Sequence, residues 1–366
     1  MSTPQTKIAS LLNTLVKEGR ERGLQVAAYL DGKLVLDAWA GVADATTGRP
    51  VDGDTLFPVF SVTKGMVATL IHILVQRGQL AYDLPISRLW PEFAAQGKSA
   101  ITVGQALSHT SGLPLLPAGV SLDVLCDWEA MCTALAGMPT AWPAGTRQVY
   151  HAVTFGWILG EVARRATGRT FGQLLEAEIC RPLGITDLYC GLPDAVAPRV
   201  VRLEEIFNPG KEPNLTDDGQ PRDVSVSMLP LHEWMNQPQV RRACVPASNG
   251  IASARALARH YAALLPGGVD GVELLPSSRV RTATQRQYPS PITDKDPSMS
   301  LGYFIGPSPA LGSRASTFGH PGYGGAIGFA DPEHRLAVGV TKNLYSPAGA
   351  SDLIVREIRA ALGVPE

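Results

Sequence analysis

The stretch that decides the fold reads Phe57-Pro58-Val59-Phe60-Ser61-Val62-Thr63-Lys64-Gly65-Met66-Val67-Ala68-Thr69-Leu70-Ile71-His72. Its first residues favour an extended strand and its last residues an apolar helix, so Ser61 falls where the helix begins. Residues three apart share one face of a helix, and the Lys64 side chain can therefore reach the Ser61 hydroxyl. The segment predicts a serine nucleophile with an adjacent base at a helix N-terminus.

Ser61 and Lys64 suit acyl transfer. A serine hydroxyl needs a base beside it, and a lysine can take the proton where burial and neighbouring dipoles favour its neutral amine. A helix N-terminus also directs N–H groups towards an oxyanion formed there. The alternative is that Ser61 only caps the helix and Lys64 is a solvated first-turn side chain. Ser61 is the only serine followed three residues later by lysine, which favours the catalytic interpretation.

The segments at the two ends of the chain predict a sheet with a helix at each end. An amphipathic helix is expected over residues 3–20, followed by a hairpin of strands 26–30 and 33–38 around Asp31-Gly32, which suits a type I′ turn. Near the other end, residues 301–305, 326–330 and 336–340 are strand-like, with a turn at 331–334. A last helix is expected over residues 351–362, with Gly363 as its stop.

The middle of the chain is richer in helices and loops. Helices are expected over residues 156–167 and 171–180, the second ended by Pro182-Leu-Gly184. The fold class predicted is α+β: an antiparallel sheet from both chain ends, flanked by terminal helices, with an inserted mostly helical lobe. The sheet lobe, residues 1–81 and 248–366, carries the nucleophile helix, and a cleft separates it from the lobe of residues 82–247. The polar segment 207–224 is interpreted as a loop, either a lid or a plain excursion.

Composition narrows the class of protein. The chain has 366 residues, 45% apolar and 18% charged, and a net charge of -1. This apolar share can form a core, whereas the balanced charge provides no field for nucleic acid or an anionic membrane surface. Residues 65–75 are too few to span a membrane, and no secretory signal is visible after Met1. We therefore expect a cytoplasmic protein that binds neither nucleic acid nor membrane.

Five cysteines stand at Cys126, Cys132, Cys180, Cys190 and Cys244. None forms a close Cys-x-x-Cys pair, and an odd number cannot all be paired within one chain. We expect reduced, mostly buried thiols.

Several motifs in order resemble the serine β-lactamase and penicillin-binding-protein superfamily, especially its class C-like branch of family VIII esterases. Besides the Ser61 motif, they are Leu107-Ser-His-Thr-Ser-Gly-Leu113, Tyr150-His-Ala-Val-Thr-Phe-Gly-Trp157, Pro182-Leu-Gly184, Asn249-Gly250, and Phe318-Gly-His320-Pro-Gly322 through Gly328-Phe-Ala-Asp331. Each motif is modest in specificity, but their order and spacing extend over most of the chain. The resemblance implies a β-lactamase-like fold and an acyl-Ser61 intermediate.

The resemblance assigns Tyr150 as the tyrosine that faces the nucleophile and relays protons with Lys64. On its own, Tyr150 could be an ordinary half-buried aromatic residue before a helix. The lactamase form of this motif is Tyr-x-Asn, but here Ala152 stands where the asparagine amide would contact a substrate side chain. This difference weighs against β-lactam binding. His151 could orient the relay and contact substrate, or it could pack locally.

The third motif of the superfamily is Lys-Thr-Gly, and here it is His320-Pro321-Gly322. A largely neutral histidine attracts a substrate carboxylate far less than lysine does, which favours neutral esters or thioesters. The resemblance places the oxyanion hole at the N–H groups of Ser61 and Tyr323. Gly322 and the glycines after Tyr323 would let backbone and substrate approach closely.

The remaining motifs are expected to be structural. Asn249-Gly250 is interpreted as a turn, and Ser108–Gly112, with His109, as a brace of the helical lobe. The seven histidines show no metal-ligand spacing, so no metal is expected. The absence of a Gly-x-Ser-x-Gly elbow removes the α/β-hydrolase alternative.

The function expected is a serine hydrolase acting on neutral carboxylic esters through an acyl-Ser61 intermediate, without a cofactor. Alternatives left open are an acyltransferase using a small alcohol or amine, a β-lactamase or D-peptidase, and a non-catalytic homologue that binds acyl ligands. The expected partner is a small ester, thioester or amide, and the oligomeric state is open.

Overall fold

The computed structural model describes residues 3–117, 120–206, 231–287, 298–308, 310–346 and 349–365. Within them the chain forms an α+β fold in which helices pack on an antiparallel sheet. The predicted fold class is confirmed. The predicted loop at 207–224 lies outside the described residues, and its interpretation as a lid or an excursion stays a prediction.

The main sheet is built from both chain ends. The strands of the described residues are β1 (Gly23–Leu30), β2 (Lys33–Asp44), β3 (Arg49–Pro50), β4 (Phe57–Phe60), β5 (Leu188–Tyr189), β6 (Glu204–Glu205), β7 (Gly250–Ala252), β8 (Ser298–Met299), β9 (Phe304–Ile305), β10 (Phe318–Pro321), β11 (Ile327–Asp331), β12 (Leu336–Lys342) and β13 (Leu344–Tyr345). Eight of them form one sheet in the order β3-β2-β1-β12-β11-β10-β9-β8. A smaller sheet, β4-β7-β5, leads to the nucleophile.

The hairpin of β1 and β2 forms where the sequence predicts it. Asp31 and Gly32 have φ angles of +50° and +72°, and Leu30 pairs with Lys33 across the turn. Positive φ at both central residues is what a type I′ turn requires. The strands extend beyond the predicted ranges, to Gly23 and Asp44.

The strand expected at 301–305 is shorter than predicted. Only Phe304–Ile305 forms a strand, because Gly302 has φ +89° and the Leu301 N–H donates to the Ala283 carbonyl at 3.0 Å. This turn takes residues 301–303 out of the ladder. The other two predicted C-terminal strands are confirmed as β11 and β12.

The predicted helices are confirmed with small shifts at their ends. The α-helices of the described residues are α1 (Pro4–Lys17), α2 (Thr63–Gln76), α3 (Val103–Leu107), α4 (Leu122–Cys126), α5 (Trp128–Gly137), α6 (Thr154–Thr167), α7 (Phe171–Leu175), α8 (Arg181–Leu183), α9 (Leu231–Asn236), α10 (Pro238–Arg242), α11 (Ala254–Ala262), α12 (Ser277–Thr284) and α13 (Ser351–Leu362). A π-helical turn, Glu176–Cys180, joins α7 to α8. Gly184, with φ +60°, ends this run.

The two faces of the sheet carry different helices because successive strand residues point to opposite sides. Val26 and Val338 pack in one apolar cluster with Leu12 of α1 and Ile358 of α13. Their neighbours, such as Ala27, pack on the other face with α2 and α11. Both faces are therefore buried, and the helices α3 to α10 lie in the inserted part of the chain. The division into lobes at 81/82 and 247/248 stays a prediction.

Candidate active site

Ser61 lies in the turn between β4 and α2. The preceding residue, Phe60, has φ +46°, a conformation that is costly for a residue with a Cβ and that clusters at functional sites. Helix α2 begins at Thr63, and no side chain caps its N-terminus. Ser61 is thus not the capping residue that the structural alternative supposed.

Lys64 is fully buried beside Ser61. Its Nζ donates to Ser61 Oγ at 2.9 Å, to the Ala152 carbonyl at 2.5 Å and to the Ala247 carbonyl at 2.8 Å. The burial contradicts the alternative of a solvated first-turn side chain. Two carbonyls from distant segments hold the amine against the hydroxyl, the position that a proton acceptor for Ser61 must occupy.

Tyr150 faces the same amine. The Lys64 Nζ lies 4.8 Å from the centroid of the Tyr150 ring, within the range of a cation–π contact. The ring is flanked by His109, Phe304 and His320, with centroids 5.1, 5.5 and 5.8 Å away. The structure therefore brings Ser61, Lys64 and Tyr150 together, and their catalytic roles stay predictions.

His320 lies against this group on β10. Its side chain is buried, its Nδ1 lies 2.6 Å from the Pro321 carbonyl, and its Nε2 has no hydrogen-bond partner within the described residues. Burial, with a smaller contribution from the Lys64 charge, lowers the pKa of His320 to about 3. The imidazole is therefore neutral, with Nδ1–H donating to the carbonyl and Nε2 left as an acceptor.

The turn after His320 passes close to the nucleophile strand. A Cβ at Gly322 would lie 2.3 Å from the Val59 carbonyl, so only glycine permits this approach. The ring of the next residue, Tyr323, lies 5.7 Å from that of Phe60. The predicted oxyanion-hole residues thus come from adjacent segments, and the use of their N–H groups stays a prediction.

Tyr323 is held by a contact that the sequence did not reveal. Its hydroxyl donates to Glu205 on β6, whose other carboxylate oxygen lies 3.0 Å from His232 Nδ1. Glu205 lies far from Tyr323 in the sequence, in no recognisable motif, so only the tertiary structure identifies it. This carboxylate fixes the side chain of the turn that would bind the oxyanion.

Both ring nitrogens of His151 are engaged by neighbouring residues. Its Nδ1 lies 2.5 Å from the Val149 carbonyl, and its Nε2 accepts from the Leu113 N–H at 3.0 Å and lies 2.9 Å from Ser111 Oγ. Burial lowers its pKa to about 4, so the ring is neutral. These contacts favour local packing over the substrate contact predicted for His151.

The segment 245–250 braces the lysine. Asn249 is buried, accepts from the Val245 N–H at 2.8 Å, and donates to the Val240 and Ala243 carbonyls. The Gly250 N–H donates to Thr63 Oγ1 at 2.9 Å. This arrangement agrees with the structural turn predicted for Asn249-Gly250. It also presents the Ala247 carbonyl, which sequence reasoning missed because every residue has one.

A possible metal site lies at the turn after β11. Ligand atoms of Asp331, Glu333 and His334 lie within 4.8 Å of one another. However, Arg359 Nη1 donates to Asp331 Oδ2 at 2.8 Å, and His334 Nδ1 lies 3.2 Å from the same oxygen. Since this carboxylate is already neutralised inside the fold, we interpret the cluster as an ion-pair network.

Among the helices within the described ranges, none has the length and apolar character needed to cross a membrane.

Comparisons with known proteins identify the family. The Beta-lactamase family model matches residues 8–362. The Esterase/beta-lactamase LipL of Mycobacterium tuberculosis is 35% identical over 90% of this chain and 79% of that protein. A penicillin-binding-protein homologue from Caulobacter crescentus is 33% identical with a TM-score of 0.86, covering 99% of both chains. A family VIII carboxylesterase is 32% identical with a TM-score of 0.86, covering 99% of this chain and 98% of that one. The chain therefore belongs to the beta-lactamase family, in the superfamily of serine β-lactamases and penicillin-binding proteins with their esterase branch, and it is a serine hydrolase.

Proposed function

We propose that the chain hydrolyses neutral carboxylic esters through an acyl-Ser61 intermediate. The observation that carries this proposal is the buried Lys64 amine, 2.9 Å from the Ser61 hydroxyl and held by two carbonyls. The neutral serine hydroxyl is a weak nucleophile, and a proton acceptor fixed at hydrogen-bond distance makes it reactive by taking its proton. The names of the relatives, which include an esterase/beta-lactamase and a carboxylesterase, support the same reaction class.

The reaction begins with Lys64 as the neutral amine, whose two N–H groups stay on the Ala152 and Ala247 carbonyls while its lone pair faces the Ser61 hydroxyl. Ser61 Oγ attacks the ester carbonyl as this lone pair takes the hydroxyl proton. The N–H groups of Ser61 and Tyr323 stabilise the oxyanion. Tyr150, beside Lys64, passes the proton to the departing alkoxide, which leaves as an alcohol. Water then attacks the acyl-enzyme with the same groups acting in reverse, releasing the acid and restoring Ser61.

Two residues favour a neutral substrate. His320 is held neutral by burial, so it provides no cation to pair with the carboxylate of a β-lactam. Ala152 has no side-chain amide, and its carbonyl accepts from Lys64 instead. A neutral ester needs neither contact, whereas an anionic β-lactam loses both.

The test is intact-protein mass spectrometry after mixing with p-nitrophenyl butyrate. We expect a butyryl adduct on the wild type and none on Ser61→Ala, which should retain the fold and lose ester turnover. Ser108→Ala, in the neighbouring brace, is the matched control and should still be acylated. Turnover by Ser61→Ala equal to the wild type would contradict the proposal. Added alcohols or amines that collect the butyryl group would identify an acyltransferase instead.

A further inference from the structure

Two of the five thiols face each other although neither belongs to a Cys-x-x-Cys motif. The Sγ atoms of Cys190 and Cys244, residues 54 positions apart, lie 3.3 Å from each other. Their backbones run side by side, since the Leu192 N–H donates to the Arg241 carbonyl at 2.7 Å. A disulfide has an S–S length of about 2.0 Å. The two side chains therefore need only a small shift to become bonded.

Cys244 is the more accessible of the two. It is half-buried and lines, together with Cys190, a cavity of about 350 Å³ whose walls include Trp128 and Phe171. Cys190 is buried, and burial together with the neighbouring thiol raises its pKa. Because the thiolate is the form that reacts with oxidants, a small oxidant in the cavity would react first at Cys244.

The pair is connected to the base of the active site. Cys190 Sγ donates to Asn249 Oδ1 at 3.3 Å, and the same oxygen accepts from the Val245 N–H at 2.8 Å. Cys244 directly precedes Val245. Two residues further on, the Ala247 carbonyl accepts from Lys64 Nζ at 2.8 Å. A change at the thiols therefore acts on the short segment that positions Lys64.

We propose that Cys190 and Cys244 form a peroxide-sensitive dithiol, which closes to a disulfide and slows acylation of Ser61. Hydrogen peroxide oxidises the Cys244 thiol to a sulfenic acid and is itself reduced to one water. The Cys190 sulfur then attacks Cys244 Sγ, the S–O bond breaks, and the hydroxyl leaves as a second water with the Cys190 proton. Two thiols and one peroxide become one disulfide and two waters, and a dithiol reductant reverses the change.

The effect on the active site follows from the lost proton. A disulfide sulfur carries no hydrogen, so Asn249 Oδ1 loses the donor that Cys190 provides, while Cys244 is drawn towards Cys190. Displacement of the Ala247 carbonyl weakens the hydrogen bond that positions the Lys64 amine, and we expect a roughly tenfold lower rate of acylation, which corresponds to about 1.4 kcal/mol. This consequence rests on the proposed function, but formation of the disulfide does not.

The first measurement concerns the bond itself. The full chain is treated with hydrogen peroxide, blocked with N-ethylmaleimide, digested and analysed by mass spectrometry. We expect linked peptides containing Cys190 and Cys244, which disappear after reduction with dithiothreitol. Cys126→Ser, which removes another half-buried thiol, should still form the link, whereas Cys190→Ser should leave Cys244 to oxidise further. Recovery of Cys190 and Cys244 unlinked in the peroxide-treated wild type would overturn the proposal.

The second measurement concerns the coupling, and uses the rate of p-nitrophenol release before and after oxidation. We expect a fall of about tenfold in the wild type and in Cys126→Ser, reversed by dithiothreitol, and no reversible fall in Cys190→Ser. A wild-type protein that carries the disulfide but releases p-nitrophenol at an unchanged rate would overturn the proposed coupling to Lys64. An inactive reduced enzyme would instead contradict the proposed function, and the peptide measurement would still decide whether the disulfide forms.

Discussion

Lys64→Met would remove the amine of the candidate active site while leaving an unbranched side chain of similar length in the same buried position. The substitution deletes the hydrogen bond to Ser61 and leaves the Ala152 and Ala247 carbonyls without this donor. Loss of a positioned base slows proton transfer by about 10²–10⁴-fold. We expect acylation by p-nitrophenyl butyrate to fall by this factor.

The same substitution should have only a limited effect on stability. Each carbonyl left without its donor costs about 1–3 kcal/mol, and removal of a buried amine offsets part of this cost. Urea unfolding followed by circular dichroism should therefore show a folded protein, so that the loss of rate is a chemical effect. Acylation itself is measured by stopped-flow release of p-nitrophenol.

Lys64→Arg distinguishes two possible roles of Lys64, as the proton acceptor for Ser61 and as a source of positive charge. Arginine keeps the cation near Ser61 but stays protonated at working pH and cannot accept the serine proton. We expect it to be as slow as Lys64→Met. A Lys64→Arg protein that is folded and acylates at close to the wild-type rate would refute the assignment of Lys64 as base and leave it only an electrostatic role.

Three other predictions concern substrate choice, the pH dependence of stability and the packing at Gly65. His320 and Ala152 lack two contacts to a β-lactam, worth about 1–3 kcal/mol each, so kcat/KM for nitrocefin should be lower by roughly two to four orders of magnitude than for short neutral esters. His320→Lys should raise kcat/KM selectively for anionic substrates. Equal changes for anionic and neutral substrates would contradict this prediction. Burial lowers the pKa of His72 and His151 to about 4 and of His260 and His320 to about 3. Between about pH 6.5 and pH 4 the unfolded chain binds protons at these histidines while the folded chain does not, so each should lower the unfolding free energy by up to about 1.4 kcal/mol per pH unit in that window. Equal urea midpoints at pH 7 and pH 5 would be the contrary result. A Cβ at Gly65 would lie 2.1 Å from the Tyr261 hydroxyl, so Gly65→Ala should destabilise the fold by about 1–3 kcal/mol, and adding Tyr261→Phe should restore most of the loss in thermal unfolding.

Local patterns in the sequence account for the elements and for the central pair of the site. The Asp31-Gly32 turn, the last helix and the Ser61–Lys64 spacing all depend on residues close in sequence, and the structure reproduces each of them. The Gly302 turn shortens a predicted strand because apolar residues alone do not reveal where the backbone leaves a ladder.

Contacts between distant segments account for what the sequence could not predict. The Ala247 carbonyl holds Lys64 through a backbone atom, which has no signature in the side-chain pattern. Glu205 reaches Tyr323 only because β6 pairs with β13, which brings it beside the 323–325 turn. The orientation of His151 depends in the same way on the turn that precedes Leu113. In each case the partner comes from a segment distant in the sequence, and only the tertiary structure brings the two together.

The pairing of β1 with β12 also has a consequence for how the protein is made. Val26 of β1 lies opposite Val340 of β12 in the central ladder. The first strand to be synthesised therefore pairs on this edge only after roughly 310 further residues have been added to the chain. At about 5–20 residues per second, this wait lasts on the order of 15–60 s, during which the β1–β2 hairpin has an open apolar edge. Such high contact order slows folding and exposes the nascent chain to aggregation. Ser61 is therefore synthesised early, but the sheet that supports it closes only when β12 has been translated.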